Sequence, residues 1–220
     1  MAFQLENWLE KLIRRLTAAF GKRLQAVGLQ GSFARKEETP SSDIDAVVLL
    51  DQITPADIAA YKTILTQLPP SSHPLCGFFG GIYDLKNWSR AELFQFIQDT
   101  RWVYGSPQTV LPKPTRQDAV LAAKTGAGNI YHALVHTWIH GELTPALMQS
   151  LCKSAFFMLQ AAYVARTGRY IAGKQPLQQA LTAPDEKRIL FHTIHPVPAA
   201  QVQTIAQDLL AVSQRILAIK

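Results

Sequence analysis

The sequence predicts an α+β chain, with a small β-sheet and flanking helices over residues 1–112 and an all-helical bundle over residues 113–220. Three observations carry this. Strand-like apolar runs, such as Leu24 to Leu29 and Ala46 to Leu50, are confined to the first half. From Thr115 onward helical periodicity takes over and no convincing strand is found. Pro112, Lys113 and Pro114 punctuate the chain between the halves, and the charge changes there: residues 1–112 hold 11 Lys+Arg against 11 Asp+Glu, residues 113–220 hold 11 against 5.

Residues 3–20 place Leu5, Trp8, Leu9, Leu12, Ile13, Leu16, Ala19 and Phe20 on one stripe, the pattern of a helix covering a sheet, and Gly21 ends it. Leu24 to Leu29 follows as a strand, closed by a tight turn at Gly31-Ser32 and a polar loop. A second strand opens with Asp43 and Asp45. Ala46-Val47-Val48-Leu49-Leu50 then runs apolar without alternation, as a strand covered on both faces does. Thr54-Pro55 reads as an N-cap with proline at the first helical position, for a helix reaching about Leu68.

Pro69-Pro70-Ser71-Ser72 breaks the chain. Within the glycine-rich segment Leu75 to Leu85 a third strand is expected, with Asp84 at its end. Ser89 caps a helix that turns Leu93, Phe94 and Phe96 inward, and Arg101 to Tyr104 forms a short strand closed by Gly105-Ser106-Pro107. Beyond the boundary, helices are predicted at 116–140, 144–167, 175–182 and 198–219, with a further one near 185–193. Thr144-Pro145 caps the second of these and Gly168 stops it. No internal repeat, low-complexity segment or heptad pattern is present.

Composition narrows the class. Apolar residues make up 48% and charged residues 17% of the 220, without disordered bias. Met1 to Phe20 alternates charged and apolar residues, unlike a signal peptide, and no apolar run approaches a membrane span. A cytoplasmic protein with no membrane partner is expected. Cys76 and Cys152 are too few and too isolated for a disulfide framework or a zinc site, so neither is assigned a function.

The richest stretch is Gln25 to Asp51. Side chains two apart on a strand point to one side of the sheet, so the carboxylates of Asp43 and Asp45 converge. Paired carboxylates at the mouth of a buried strand suit a divalent metal. Upstream, backbone N–H groups at Gly31 and Ser32 and the Ser32 hydroxyl suit phosphate oxygens.

Gly31-Ser32, ten residues, then Asp43-Ile44-Asp45 resembles the G-S-x10-D-x-D pattern of the minimal nucleotidyltransferases of the DNA polymerase β superfamily. The words Gly-Ser-Phe-Ala-Arg and Ser-Ser-Asp-Ile-Asp are similar to theirs. The resemblance implies a polymerase-β-like nucleotidyltransferase domain on a small mixed sheet. Asp43 and Asp45 would hold one or two Mg²⁺ ions, Gly31 and Ser32 would grip the phosphates of ATP or another nucleoside triphosphate, and Arg35 would steer phosphate from the loop. A third carboxylate, on a strand after the Asp-x-Asp strand, serves in the superfamily as metal ligand or general base. Asp84 matches by position, although an aspartate ending a strand at a turn reads equally well, and Glu92 and Asp99 are weaker alternatives.

The segment from Lys153 to Lys174 resembles the helical substrate-binding domain of aminoglycoside nucleotidyltransferases. There a lysine shortly after a Thr-Gly turn touches the nucleotide phosphates. Carried onto Thr167-Gly168, this points to Lys174, with Lys124 and Lys153 as further candidates.

His132, His136 and His140 share one helical face, but no H-E-x-x-H word accompanies them. A stripe that faces the cleft, where it would touch the acceptor, or that packs beside Tyr131 and Trp138 is expected ahead of metal binding. The basic second half suits an anionic nucleotide, whereas nucleic acid is disfavoured because aromatic residues are not interleaved with the basic ones. The acceptor implied is a hydroxyl compound such as an aminoglycoside-like small molecule. The alternatives are a protein adenylyltransferase of the antitoxin type and a non-catalytic nucleotide- or nucleic-acid-binding module. Many relatives are dimers, so a homodimer enters the expectation.

Overall fold

The computed structural model describes residues 4–220, and residue 3 of the first predicted helix lies outside the described residues. The chain forms two compact units. One comprises Met1–Trp88 with Asp99–Lys113, the other Ser89–Gln98 with Pro114–Lys220. The chain thus enters the second unit at Ser89, returns at Asp99 and enters again at Pro114.

In the first unit, α1 (Leu5–Phe20) leads through a tight turn into β1 (Leu24–Leu29). Then come α2 (Gly31–Arg35), β2 (Ile44–Leu50), α3 (Pro55–Thr66), β3 (Leu75–Gly81) and α4 (Ile82–Leu85). After α5 (Arg90–Asp99), β4 (Arg101–Gly105) completes a sheet of order β3-β2-β1-β4. The sheet is mixed, since β1 pairs antiparallel with β2 and β4 while β2 and β3 run parallel.

The stripe of α1 buries Trp8, Leu9, Leu12, Leu16 and Phe20 with Val27 and Leu29 of β1, Ala46 and Val48 of β2 and Ile64 of α3. Val47 and Leu49, which face the other side of β2, are also fully buried. That is why this strand reads as an unbroken apolar run. Thr54 caps α3 as predicted, in a reciprocal box with Asp57.

Two local expectations are corrected. The Gly31-Ser32 turn is the opening of a short helix, because Gly31 turns the chain with φ 65° and Phe33 is then buried. The Ile82-Tyr83-Asp84-Leu85 end of the third strand is helical. Its ladder stops at the Leu50–Gly81 pair, where β2 ends, and the next free amide, that of Tyr83, donates to the Asp51 carbonyl (3.3 Å).

The second unit contains α6 (Arg116–His140), α7 (Pro145–Thr167), α8 (Lys174–Ala180), α9 (Pro184–Phe191) and α10 (Val202–Leu217). They surround one core that runs from Ala119 to Ile216 and includes Phe94 of α5. Thr144 accepts from the Leu147 amide, and Gly168 ends α7 in the left-handed conformation (φ 73°). Arginine pairs neutralise most acids here: Arg166 with Glu186, Arg188 with Asp208, Arg215 with Asp185 and Arg90 with Asp118. The basic surplus therefore rests on residues such as Lys124, Lys153 and Arg169. Among the described residues no helix is long and apolar enough to cross a membrane.

Candidate active site

Strand β2 presents Asp45 as its second residue, with Asp43 immediately before it. The Ile44 amide donates to Pro74 O (2.8 Å), and the Gln30 amide donates to Asp45 O (2.8 Å). The start of β2 is thus held between the chain entering β3 and the chain entering α2. Gly31 lies beneath the second aspartate: a Cβ there would stand 1.9 Å from Asp45 Oδ2. With φ 65°, both backbone and space demand glycine at this position.

On the other side, Asp45 is the register partner of Cys76 in β3. One ligand atom each from Asp43, Asp45 and Cys76 lie within 4.8 Å of one another, with Asp43 and Cys76 exposed and Asp45 half-buried. Sequence reasoning missed Cys76, because strand register across the intervening α3 connection has no local signal. The only hint was its place in the glycine-rich run expected to be a strand.

The Asp45 carboxyl is pushed above the usual carboxylate range, first by burial and then by the Asp43 charge, with Arg35 opposing the shift and Asp99 adding to it. Among the described residues no ion pair engages Asp43 or Asp45. Two converging carboxylates without a bonded cation form a hard oxygen donor set that fits a divalent metal.

Arg35 is near this pair but bonded elsewhere. Its Nη1 donates to both oxygens of Asp99 (3.0 and 3.1 Å) and its Nε to Glu37 (3.4 Å), and the Arg35 and Asp99 side chains are 8% and 9% exposed. This corrects the loop-steering expectation: Arg35 acts on Asp45 through its field while clamping α2 to the start of β4. Gln30 strengthens the clamp by donating to the Thr100 hydroxyl (2.8 Å).

His73 is a second residue that sequence reasoning missed. Its Nδ1 donates to Ser42 O (2.7 Å) and its ring packs edge-on against Phe33 at 5.1 Å. It ties the polar loop before Asp43 to α2.

Asp84 is not brought to the pair. It lies in α4 beyond Gly81, whereas Asp45 is level with Cys76. Five strand steps of about 3.3 Å put it roughly 16–17 Å away, at the opposite end of the β2–β3 ladder. Of the weaker alternatives, the Glu92 carboxylate accepts from the Ser89 hydroxyl (2.9 Å), to which the Glu92 amide donates in turn (3.2 Å), and Asp99 is held by Arg35.

In the helical unit, Lys174 opens α8 with its Nζ 6.0 Å from the Phe156 ring centroid. His132, His136 and His140 line one exposed face of α6, with successive ring centroids 6.1 and 5.1 Å apart. Among the described residues, the Asp43, Asp45 and Cys76 group is the one set of three or more such side chains close enough to share an ion.

A profile of the family described as Nucleotidyltransferase domain matches residues 9–118, half of the chain. No curated protein matches the sequence. Among solved structures, that of spectinomycin adenyltransferase AAD(9) from Enterococcus faecialis with ATP and spectinomycin shares the fold at a TM-score of 0.62. The alignment covers 97% of this chain and 99% of that one, at 12% sequence identity.

Proposed function

The chain belongs to the nucleotidyltransferase domain family and is a transferase, and on that premise we propose that it moves AMP from ATP to a hydroxyl of a small acceptor, an aminoglycoside-like compound. The observation that carries this reading is the Asp43–Asp45 pair, whose carboxylates converge above a glycine that Asp45 itself requires. The adenyl donor and the small-molecule acceptor find support in the similar solved protein, whose structure includes ATP and spectinomycin.

Asp43 and Asp45 are the residues that would hold Mg²⁺, which when bound supplies charge neutralisation for the triphosphate. Gly31 and Ser32 present the backbone that grips the phosphates, and Lys174, on the helical side of the chain, is proposed as a phosphate contact. The acceptor hydroxyl attacks the α-phosphorus in line, its oxygen forms the new ester bond, and pyrophosphate leaves with the bonding pair of the α–β bridge. Water takes the hydroxyl proton, a role that Asp84, at the far end of the ladder, is too distant to fill. Residues 113–220 select the acceptor.

The test is calorimetric titration of each nucleoside triphosphate with and without Mg²⁺, on native protein and on Asp43→Asn/Asp45→Asn, followed by a mass-spectrometric acceptor screen. Metal-dependent ATP binding lost in the variant, and a gain of one AMP on a small hydroxyl compound, are expected. An AMP gained only by a protein would move the reading to protein adenylylation. Nucleotide binding retained in the variant, without turnover by native protein, would reduce the chain to a binding module.

A further inference from the structure

The neighbour of Asp45 across the ladder is a thiol, and the backbone holds it there. The β2–β3 register runs from Ile44–Leu75 to Leu50–Gly81 without a shift. Immediately after Cys76 comes Gly77, with φ 122° and so little room that a Cβ would stand 2.0 Å from the Ala46 carbonyl oxygen. β3 is therefore pressed onto β2 one residue beyond the Asp45–Cys76 pair. Cys76 is exposed and open to a hydrated ion. Cys152, by contrast, is buried in the helical core with its thiol pushed up to about 12 by burial and by Asp208.

Two carboxylates alone would favour a hard cation, since Mg²⁺ binds through oxygen and has little use for sulfur. A thiolate within reach changes the selection, because Zn²⁺, Co²⁺ and Cd²⁺ accept sulfur and oxygen together. Ligand atoms sharing one tetrahedral zinc stand about 3.6 Å apart. The trio, already within 4.8 Å, closes on such an ion with small side-chain rotations.

We propose that Asp43, Asp45 and Cys76 form a mixed oxygen–sulfur cation site, through which zinc-like ions compete with Mg²⁺ at the nucleotidyl-transfer centre. The inference rests on the reading of Asp43 and Asp45 as the metal-holding pair. Coordination replaces the S–H bond with a sulfur–metal bond and releases the proton to solvent. The transferase is then more sensitive to thiophilic metal at its own active centre than an oxygen-only ligand set would make it.

The experiment uses the full chain with Co²⁺, Cd²⁺ and Mn²⁺ as probes. Co²⁺ reports a sulfur ligand by a thiolate-to-metal charge-transfer absorption in the near ultraviolet, and Cd²⁺ and Mn²⁺ affinities are read by calorimetry. Native protein is expected to show the charge-transfer band. Cys76→Ser is expected to lose it, to lose at least about tenfold in Cd²⁺ affinity and to keep Mn²⁺ affinity within about twofold. Cys76→Ala, with circular dichroism as the folding control, is expected to behave alike.

A native protein that binds Mn²⁺ but shows no band overturns the inference and leaves the proposed function standing, as does a band that survives in Cys76→Ser or an unchanged Cd²⁺ affinity. A native protein that binds none of the three ions removes the Asp43–Asp45 metal reading itself.

Discussion

The two ends of the β2–β3 ladder carry the same residue type in opposite electrostatic settings. At the far end, Arg23 donates to both oxygens of Asp57 (2.7 and 2.9 Å) and to Asp51 (3.2 Å). The Arg23 hydrogen bond, with help from Thr54, holds the Asp57 carboxyl well below the usual carboxylate range. At the near end, Asp43 and Asp45 face each other, and the nearby arginine is bonded to Asp99 and Glu37. Acids that hold the fold together are matched with a cation, whereas the acids proposed to act are left repelling each other, a state that a bound cation would relieve.

The largest effect that could break this comparison is on turnover. Asp43→Asn or Asp45→Asn should lower nucleotidyl transfer by on the order of 10²–10³-fold without lowering thermal stability, as measured by single-turnover AMP transfer beside a melting curve. Retained activity would mean the repelling pair is not the working one. Next, Arg35→Ala breaks a buried ion pair by taking the guanidinium away from Asp99 and should cost about 3–5 kcal/mol of stability, read by chemical denaturation. A near-neutral result would remove Arg35 from the clamp that sets α2.

Gly31→Ala should cost at least about 1–2 kcal/mol for the left-handed backbone. It should also displace Asp45, so that activity falls in a variant that still folds.

The smallest and sharpest test is the pH dependence of melting. The Asp45 carboxyl lies above its unfolded value of about 3.9 in the folded chain. Its charge therefore opposes folding once pH rises past that value, with the penalty complete above the folded pKa. Asp45→Asn should gain stability at neutral pH, and the gain should vanish below about pH 4. Asp57 has the opposite sign. Its contribution is present above about 3.9 and is lost as pH falls through the depressed folded value. Asp57→Asn should melt a few degrees lower at neutral pH and no lower in acid. Parallel pH curves for the two variants would contradict the contrast between the two ends.

What the sequence made legible follows from the range over which each feature is determined. Helix ends such as Thr54-Pro55, Thr144-Pro145 and Gly168 are decided within a few residues by caps, and they stand where the pattern put them. The Asp43–Asp45 convergence is a property of one short stretch and could likewise be read directly. The pairing of Asp45 with Cys76 depends on a parallel register across α3, which no local pattern encodes. Asp84 was misplaced for a related reason: a single helical turn such as Ile82–Leu85 is too short to show a period, and it was the end of β2 that ended β3.

The path of α5 also bears on how the gene could be divided. Leaving the first unit at Ser89 and returning at Asp99, the chain lends Phe94 to the helical core and a hydrogen bond from Gln95 to Gln160 (3.0 Å) before it lays down β4. Three crossings rather than one join the halves. A polypeptide cut at residue 112 would carry away a helix made for the other half's interior, leaving a hole where Phe94 had been and an apolar side chain in water. Exchange of the helical half between relatives would therefore have to exchange α5 as well, so the heritable module is discontinuous in sequence.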